Sequence, residues 1–233
     1  MATVTSQRNT DINVGEIVAA LEEEIALGYL APRERLVEEE LAERFQVKRH
    51  VIRQALVELD AMGIVVRQPN RGAAVKDFTV NEVEQLYIVR SLVECCAAEL
   101  IPMPAPASLI NELRAIHKRH CDAVDRGDLS RVFRENLKFH RTLFASCGNV
   151  PLTEIIEQLA FKTHGIRSYS VGDPKLLARV RAEHERMIEL LQGASRRELV
   201  ALIKGHIQPA KDAYLQVSQH KTAKFVKQRP HRS

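Results

Sequence analysis

The sequence predicts a mainly α-helical protein with one small β-hairpin. Apolar residues recur three or four positions apart over most of the 233-residue chain, as they do in helices. Two short β-type runs, Ile64-Val65-Val66 and Ala73-Ala74-Val75, flank one turn-rich segment. From residue 79 to about residue 219 the sequence contains only helical segments, separated by glycine and proline breaks. We therefore expect a small helical unit with a hairpin, followed by a larger all-helical unit.

Residues 1 to 12 are polar, and we expect them to be disordered. The first helix is expected to start after Asn13, whose side chain can cap it, and to end at Gly28. Its apolar side is formed by Ile17, Val18, Leu21, Ile25 and Leu27.

Two closely spaced helical stripes follow between Leu36 and Gly63. The first contains Leu41, Ala42 and Phe45, and the second contains Val51, Ile52, Ala55, Leu56 and Leu59. Val47 marks the turn between them, and Pro69-Asn70-Arg71-Gly72 is the tip of the hairpin that comes next. A helix pair followed by such a hairpin is typical of a winged helix-turn-helix, which places its second helix in the major groove of DNA. The sequence therefore predicts binding to double-stranded DNA.

The predicted DNA-binding surface depends on a local basic patch and not on overall charge. The formal net charge is +4, but residues 1 to 76 contain ten Lys and Arg against twelve Asp and Glu. No acidic residue occurs from Arg44 to Val57, so this run provides the patch. The predicted contacts to bases or phosphates are Arg49 and Arg53, those to phosphates are Lys48 and His50, and those from the wing are Arg71 and Gly72. A solvated helix face with ordinary arginines is the alternative interpretation.

The stretch from about residue 13 to residue 76 resembles the DNA-binding domain of GntR-type bacterial transcription regulators. The matching positions are Gly28, Pro32, Leu36, Leu41-Ala42, Val47, Arg49, Ile52-Arg53, Ala55-Leu56, Gly63 and Arg71-Gly72. Two positions depart from the family pattern. Arg33 stands where a glycine is usual, and Glu39 stands where some members carry a DNA-contacting arginine, so that contact is not carried over.

Six helical segments are expected in the C-terminal part, joined by short loops. They span residues 79–101, 106–126, 129–147, 150–170, 173–192 and 195–217. Thr79 and Glu82 form a capping-box pattern at the start of the first segment. Short connections favour an antiparallel all-α bundle. The expected division is residues 1–76 for the winged helix-turn-helix, 77–219 for the bundle, and 220–233 for a basic, disordered tail that is either solvated or a supplementary DNA contact.

Three histidines lie on apolar faces of three different predicted helices. His140 comes one turn after Asn136, so both lie on one helical face, and His184 and His206 belong to the last two segments. In a helical bundle such side chains can converge on one metal ion. Spacing alone leaves a second interpretation open, in which each histidine is a hydrogen-bonded core residue.

The C-terminal part resembles the FCD ligand-binding domain of the FadR-type GntR regulators. The matching positions are Tyr87, Arg90, Glu94, Phe139-His140, Gly148-Asn149, Glu183-His184 and His206. The resemblance implies a divalent metal ion held by Asn136, His140, His184 and His206, with zinc expected and nickel, iron or manganese as alternatives. Asn136 replaces the aspartate that many members use, which removes one negative charge from the ligand set.

The same resemblance implies a small carboxylic acid as the effector. Arg90 is the expected contact, because its guanidinium fork suits a carboxylate. Arg167 and Tyr169 lie on the fourth segment of the bundle and are further expected effector-binding residues, because they can line the same cavity. For Arg90 the sequence also allows a salt bridge to Glu94, one turn further along the helix. The implied function is that of a homodimeric repressor in the bacterial cytoplasm, which binds an inverted-repeat operator and responds to this acid.

Two other functions compete with this one. The three histidines could activate a water molecule in a metal-dependent hydrolase. No acid stands in the role of general base, however, because Glu183 directly precedes His184 and is therefore expected about 100 degrees round the helix from it. The second rival is a DNA-architectural protein whose bundle is purely structural and holds no metal.

The remaining chemistry-bearing residues are expected to be structural. His117 and His120 fall in a charged helical segment and are expected to be exposed. The N-terminus lacks the layout of a signal peptide, and no apolar run approaches the ~20 residues of a membrane span, so no membrane partner is expected. The cysteines lack paired metal-type spacing and are expected to be reduced, mostly buried thiols. They are Cys95, Cys96, Cys121 and Cys147.

Overall fold

The computed structural model describes residues 12–68, 72–193 and 195–227, with side chains described up to residue 218. Within these ranges the helices are α1 Val14–Leu27, α2 Glu38–Phe45, α3 Arg49–Ala61, α4 Val80–Leu100, α5 Ala107–Asp125, α6 Leu129–Ala145, α7 Val150–Lys162, α8 His164–Arg167, α9 Pro174–Leu191, α10 Arg196–His206 and α11 Gln208–Lys227. The strands are β1 Arg35–Leu36, β2 Val65–Gln68 and β3 Gly72–Val75. They form one antiparallel sheet in the order β1-β3-β2. The predicted fold class, mainly α with a small hairpin, is confirmed.

The N-terminal part has its own hydrophobic core. Asn13 caps α1 in a capping box with Glu16, as its sequence position predicts. Helices α2 and α3 are joined through Gln46, which has a φ of 55°, and α3 is followed by the hairpin β2–β3. The core side chains come from all of these elements and include Ile17, Leu21, Leu41, Ile52, Leu56, Leu59 and Val65. This packing fixes the angle at which α3 is presented to solvent.

Strand β1 was not predicted from the sequence. Arg35 pairs with Ala74 and Leu36 with Ala73, so β1 covers the open edge of β3. Leu36 is buried on the core. Just before this strand, Arg33 has a φ of 70°, in the left-handed region that favours glycine. The backbone conformation therefore explains why a glycine is usual at this position, and here the Arg33 side chain instead reaches Asp77 at 2.5 Å.

The C-terminal part is the expected helical bundle, but two of the six expected helices are interrupted. The segment expected at 150–170 breaks at Thr163, whose hydroxyl donates to the carbonyl of Ala160. The segment expected at 195–217 breaks between α10 and α11, because Pro209 has no N–H and its ring clashes with the carbonyl four residues earlier. Both breaks matter for the site, since they place Arg167 and His206 at helix ends.

Two further expectations differ from the structure. Helix α11 continues to Lys227, so the backbone of residues 220–227 is helical where a disordered tail was expected. The cysteines are free, but Cys96 is exposed and the other three are half-buried, so the expectation of mostly buried thiols is wrong. Residues 228–233, the expected disorder of residues 1–11 and the tip of the wing at 69–71 lie outside the described residues. The domain boundaries stay a prediction.

Helix α1 packs directly against the bundle. The imidazole Nδ1 of His164 on α8 lies 2.9 Å from a carboxylate oxygen of Glu22. The neighbouring Glu23 pairs with Arg134 of α6 at 2.9 Å. Gly165 of α8 packs closely on Ile25, since a Cβ added to the glycine would lie 3.7 Å from the Ile25 side chain. The helix that supports the DNA-binding unit is thus also part of the bundle surface. None of the described helices combines the length and the apolar character required to cross a membrane.

Candidate DNA-binding surface and metal centre

The basic residues predicted from the sequence lie together at the exposed start of α3. Lys48 is its N-cap position, and Arg49, His50 and Arg53 follow on its first turns, all exposed. Such an N-terminal half is the part of a recognition helix that reaches base edges. Gly72 begins β3 with a φ of 79° and is exposed. Arg71 lies outside the described residues.

Two arginines of this surface are paired with acids from α2. Arg53 binds Glu38 through two hydrogen bonds of 3.3 and 3.0 Å, and Arg49 pairs with Glu39. The Arg53 guanidinium lowers the pKa of Glu38, so this pair is charged at neutral pH. The Arg53 side chain is 60 % exposed and that of Arg49 is 57 % exposed, so both pairs are weak in water. A DNA phosphate can therefore compete for either arginine.

The three histidines predicted from the sequence converge in the bundle. His140 of α6 lies with its Nε2 atom 3.1 Å from Nε2 of His206 on α10 and 3.4 Å from Nε2 of His184 on α9. A tetrahedral zinc ion with bonds of about 2.0 Å separates its nitrogen ligands by about 3.3 Å. The spacing of the three nitrogens therefore suits one metal ion.

The protonation of these imidazoles also suits a metal ion. Burial lowers the pKa of His140 and of His184 well below the usual value, and the neighbouring imidazoles lower both further. Both rings are therefore neutral at pH 7. A proton on one of the three Nε2 atoms can form a hydrogen bond between two of the rings, but it leaves the third nitrogen without a partner. A metal cation can bind the lone pairs of all three nitrogens at once.

Glu183 fixes the orientation of one of these rings. Its Oε2 atom lies 2.6 Å from Nδ1 of His206, and because a carboxylate only accepts, Nδ1 carries the proton. The Nε2 lone pair of His206 is then directed at the other two histidines, which is the usual arrangement around a metal ligand. Because Glu183 is offset by about 100 degrees from His184 on the helix, we expected it to lie away from the histidine site, and that expectation is wrong. The carboxylate turns away from its neighbour His184 but meets a histidine from the adjacent α10.

Two cavities adjoin the histidine group. The larger, of about 110 Å³, is lined by Asn136, Arg167, Glu183 and His206 among mainly apolar side chains. The smaller, of about 50 Å³, is lined by Glu94, His140, His164 and Arg167. Asn136 lies one turn before His140 and shares the wall of the larger cavity with His206. Arg90 borders both cavities.

The two predicted effector arginines differ in their partners. Arg90 is buried and bound to Glu94 at 2.7 Å, with a further hydrogen bond to Thr163, so its predicted salt bridge is present. Arg167 has no carboxylate within 4.0 Å among the side chains that the structure describes. Burial, followed by the nearby Arg90, lowers the pKa of Arg167 to about 10, so it remains a cation at neutral pH. Tyr169 packs edge-on against Tyr214, at 5.1 Å between ring centroids, and is absent from the walls of these two cavities.

Several residues near the site were missed by sequence reasoning. His117 and His120 were expected to be exposed, but they are 8 % and 1 % exposed, so that expectation is wrong. Both continue the apolar stripe of α5 that contains Ile110, Leu113 and Ile116. The spacing of this apolar stripe is visible in the sequence. The charged residues Lys118 and Arg119 between the two histidines nevertheless suggested a solvent-exposed segment. His164, also fully buried, gave no spacing signal because α8 is only one turn long.

Comparisons with known proteins agree with this architecture. Residues 13–75 match the family model of bacterial regulatory proteins of the gntR family, and residues 85–209 match the FCD domain. The chain is 25 % identical to the HTH-type transcriptional repressor RspR of Escherichia coli K12, covering 96 % of this chain and 98 % of the relative. It is 24 % identical to the HTH-type transcriptional regulator LutR of Bacillus subtilis, over 79 % of this chain and 93 % of the relative.

Solved structures show the same fold. The E. coli protein McbR/YncC has a TM-score of 0.76 at 18 % identity, covering 87 % of this chain and 97 % of that one. A protein from Rhodococcus sp. RHA1 that is described as a putative transcriptional regulator GntR has a TM-score of 0.72 at 19 % identity, with the same coverage. The families and relatives are transcription regulators and not enzymes, which excludes the hydrolase. The chain belongs to the GntR family of bacterial regulatory proteins and is a DNA-binding transcription regulator with an FCD domain.

Proposed function

We propose that this regulator is a repressor that binds an inverted-repeat operator as a homodimer in the bacterial cytoplasm and responds to a small carboxylic acid. The observation that carries the proposal is Arg167, a cation without an acidic partner among the described side chains, on the wall that it shares with His206. A half-buried cation without an acidic partner costs free energy that an anionic ligand would recover. The printed name of the relative RspR, a repressor, supports the direction of regulation.

The effector and the metal would share one cavity. His140, His184 and His206 supply the nitrogen ligands, and Asn136 is available as a weaker oxygen ligand. A bound divalent ion supplies a second positive charge for the carboxylate of the effector. Arg167 would donate two hydrogen bonds to the same carboxylate. A cavity of about 110 Å³ admits an acid of only a few heavy atoms.

The signal would reach the DNA-binding unit through α8 and α1. Arg167 ends α8, and this short helix carries His164 and Gly165 against α1. Ala26 of α1 itself lines the larger cavity. An acid that draws Arg167 towards the metal would move α8 and change its packing on α1. Regulation requires that the acid bind the two arrangements with different affinity.

Arg167→Gln is expected to abolish most of the effector response while leaving metal content unchanged. Wild-type protein should be stabilised in a thermal-shift screen by at least one small carboxylic acid, since a ligand that binds only the folded state raises Tm. Charge-assisted hydrogen bonds contribute about 1.5–3 kcal/mol, so the variant should need at least about tenfold more acid. The same acid should alter operator binding by the wild type only.

Arg186→Gln is the matched control, because Arg186 lies on the bundle surface in exposed pairs with Glu189 and Glu198. It should respond like the wild type. An Arg167→Gln variant with an unchanged dose response, or a wild type that no acid in the screen stabilises, would overturn the proposed effector site.

The proposed dimer would use the outer face of α4. Large exposed apolar side chains concentrate on this face among the described residues, with Ile88 at 61 %, Val89 at 44 % and Leu92 at 67 % exposure. They lie on one side of the helix, opposite the buried Tyr87, Arg90 and Glu94. A contiguous apolar patch of this kind marks an interaction site, and a second copy of the chain is the occupant we propose.

Leu92→Glu is therefore expected to convert the homodimer into a monomer in sedimentation velocity and to weaken operator binding. Two charges would face each other across a two-fold interface, at a cost of several kcal/mol. Tyr29→Glu is the control, since Tyr29 is 69 % exposed in the N-terminal part. A Leu92→Glu protein that remains dimeric would place the interface elsewhere.

A further inference from the structure

A second group of metal-type side chains lies on α5, outside the three-histidine centre. His117, His120 and Cys121 follow one another at helical spacing, and no two of their ligand atoms are more than 4.8 Å apart. The Nε2 atom of His117 lies 3.5 Å from Sγ of Cys121. It also lies 3.3 Å from a carboxylate oxygen of Glu185 on α9. Two nitrogens and one sulfur of α5 therefore lie close together, and the Glu185 carboxylate of α9 meets this group at His117.

These separations suit a tetrahedral ion. With metal–nitrogen bonds of about 2.0 Å and a metal–sulfur bond of about 2.3 Å, neighbouring ligand atoms are about 3.3–3.6 Å apart. The two contacts of His117 already have this length. The ligand atoms of His120 and Cys121 lie within 4.8 Å of each other and of His117, and the half-exposed Glu185 side chain would rotate towards them to complete the shell.

His120 supplies an independent indication that a ligand belongs here. It is 1 % exposed, and neither of its ring nitrogens has a hydrogen-bond partner among the described residues. A buried polar atom without a partner costs about 1–3 kcal/mol, so such atoms are rare in folded proteins.

We propose that His117, His120, Cys121 and Glu185 form a second metal site, selective for a thiophilic divalent ion such as zinc or cobalt. The sulfur ligand distinguishes it from the all-nitrogen group of His140, His184 and His206. On binding, the Cys121 thiol releases its proton to solvent and a metal–sulfur bond forms, without any change of oxidation state. Cys121 is half-buried and the Glu185 side chain is 51 % exposed, so the ion can enter from the surface.

The two sites would be separated by a single imidazole. The ring of His184 lies 5.3 Å from that of His120 and 6.0 Å from that of His117, measured between centroids. The second ion would also join α5 to α9 through Glu185. Its occupancy would therefore stiffen the wall that carries His184, which gives the regulator a second, independent dependence on metal supply.

The test is cobalt reconstitution of chelator-treated full-length protein. Wild type is expected to bind two equivalents of Co²⁺ in equilibrium dialysis and to develop sulfur-to-cobalt charge-transfer absorption. Cys121→Ser should lose that absorption together with one equivalent. Cys147→Ser, which removes another half-buried cysteine, should keep both equivalents and the absorption.

His206→Gln separates this proposal from the three-histidine centre. It should lose the other equivalent while the charge-transfer absorption remains. If wild type binds one equivalent without sulfur absorption, or if Cys121→Ser keeps the absorption, the second site is refuted. If the wild type itself binds only one equivalent, with sulfur absorption, and His206→Gln binds that equivalent unchanged, the second site stands and the three-histidine centre fails.

Discussion

Arg53→Ala is expected to weaken operator binding at least about 30-fold while leaving the thermal stability of the protein nearly unchanged. Each good arginine contact to a base is worth about 1–3 kcal/mol, and a homodimer loses it in both half-sites. The stability should change little, because the Arg53 side chain is 60 % exposed and solvent-exposed ion pairs such as its pair with Glu38 contribute little to folding. Fluorescence anisotropy with duplexes selected in vitro, at fixed salt, measures the affinity.

The ion pair between Arg53 and Glu38 allows a second variant to be tested in the same affinity measurement. Glu38→Gln removes the acid that competes with DNA for Arg53, so operator affinity should rise by up to about fivefold. Arg186→Ala is the matched control, since Arg186 also forms exposed ion pairs, with Glu189 and Glu198, but lies on the bundle and outside the basic patch. It should alter affinity far less than Arg53→Ala does. If Arg53→Ala lowers Tm sharply, or binds selected duplexes like the wild type, Arg53 is not a specificity contact.

Local sequence signals predicted most of the helices, and the structure shows why. The capping boxes at Asn13 and Thr79 each depend on a residue only three positions away, and both are present. The stripe of α3 is also local, since its spacing alone puts Ile52, Leu56 and Leu59 on one face. Such features need no knowledge of the rest of the chain.

The features that sequence reasoning missed depend on distant partners. Strand β1 exists because Leu36 can be buried beside Ala73, more than thirty positions away. The break after Lys162 was hidden because Thr163 is an ordinary helix residue until its hydroxyl engages Ala160 and Arg90.

The candidate site follows the same rule. The convergence of three histidines was anticipated from their apolar surroundings and from family resemblance. The role of Glu183 was not, because it depends on a histidine that α10 brings alongside α9. The burial of His117 and His120 was not predicted, because the charged residues beside them lie on the opposite face of α5. Spacing thus identified which helix face each histidine occupies, and only tertiary packing decided what that face meets.

His206→Gln is expected to remove the metal from the three-histidine centre and with it the effector response. Its Nε2 atom is 3.1 Å from that of His140, so glutamine at this position leaves two nitrogens, too few to hold a zinc-type ion tightly. His206 is preferable to His184, which is fully buried with its ring stacked 4.0 Å from Phe139, because His184→Ala would also leave a cavity in the core. Elemental analysis of untagged protein measures the metal, and the acid screen measures the response.

Together with His206→Gln, the variants Glu183→Gln and His164→Gln are expected to form a series of graded metal affinity. Glu183 orients His206 without reaching the metal, so its loss should weaken metal affinity about 10–100-fold and not abolish it. His164 also contacts a glutamate, Glu22, but stands apart from the three nitrogens, so His164→Gln should keep the metal. A chelator should lower Tm of the wild type, by the equivalent of about 4 kcal/mol for an ion present at a thousand times its Kd. If the metal content follows any other order, or if the chelator leaves Tm unchanged, these histidines are packing residues and the signal of the regulator must be sought at Arg167 alone.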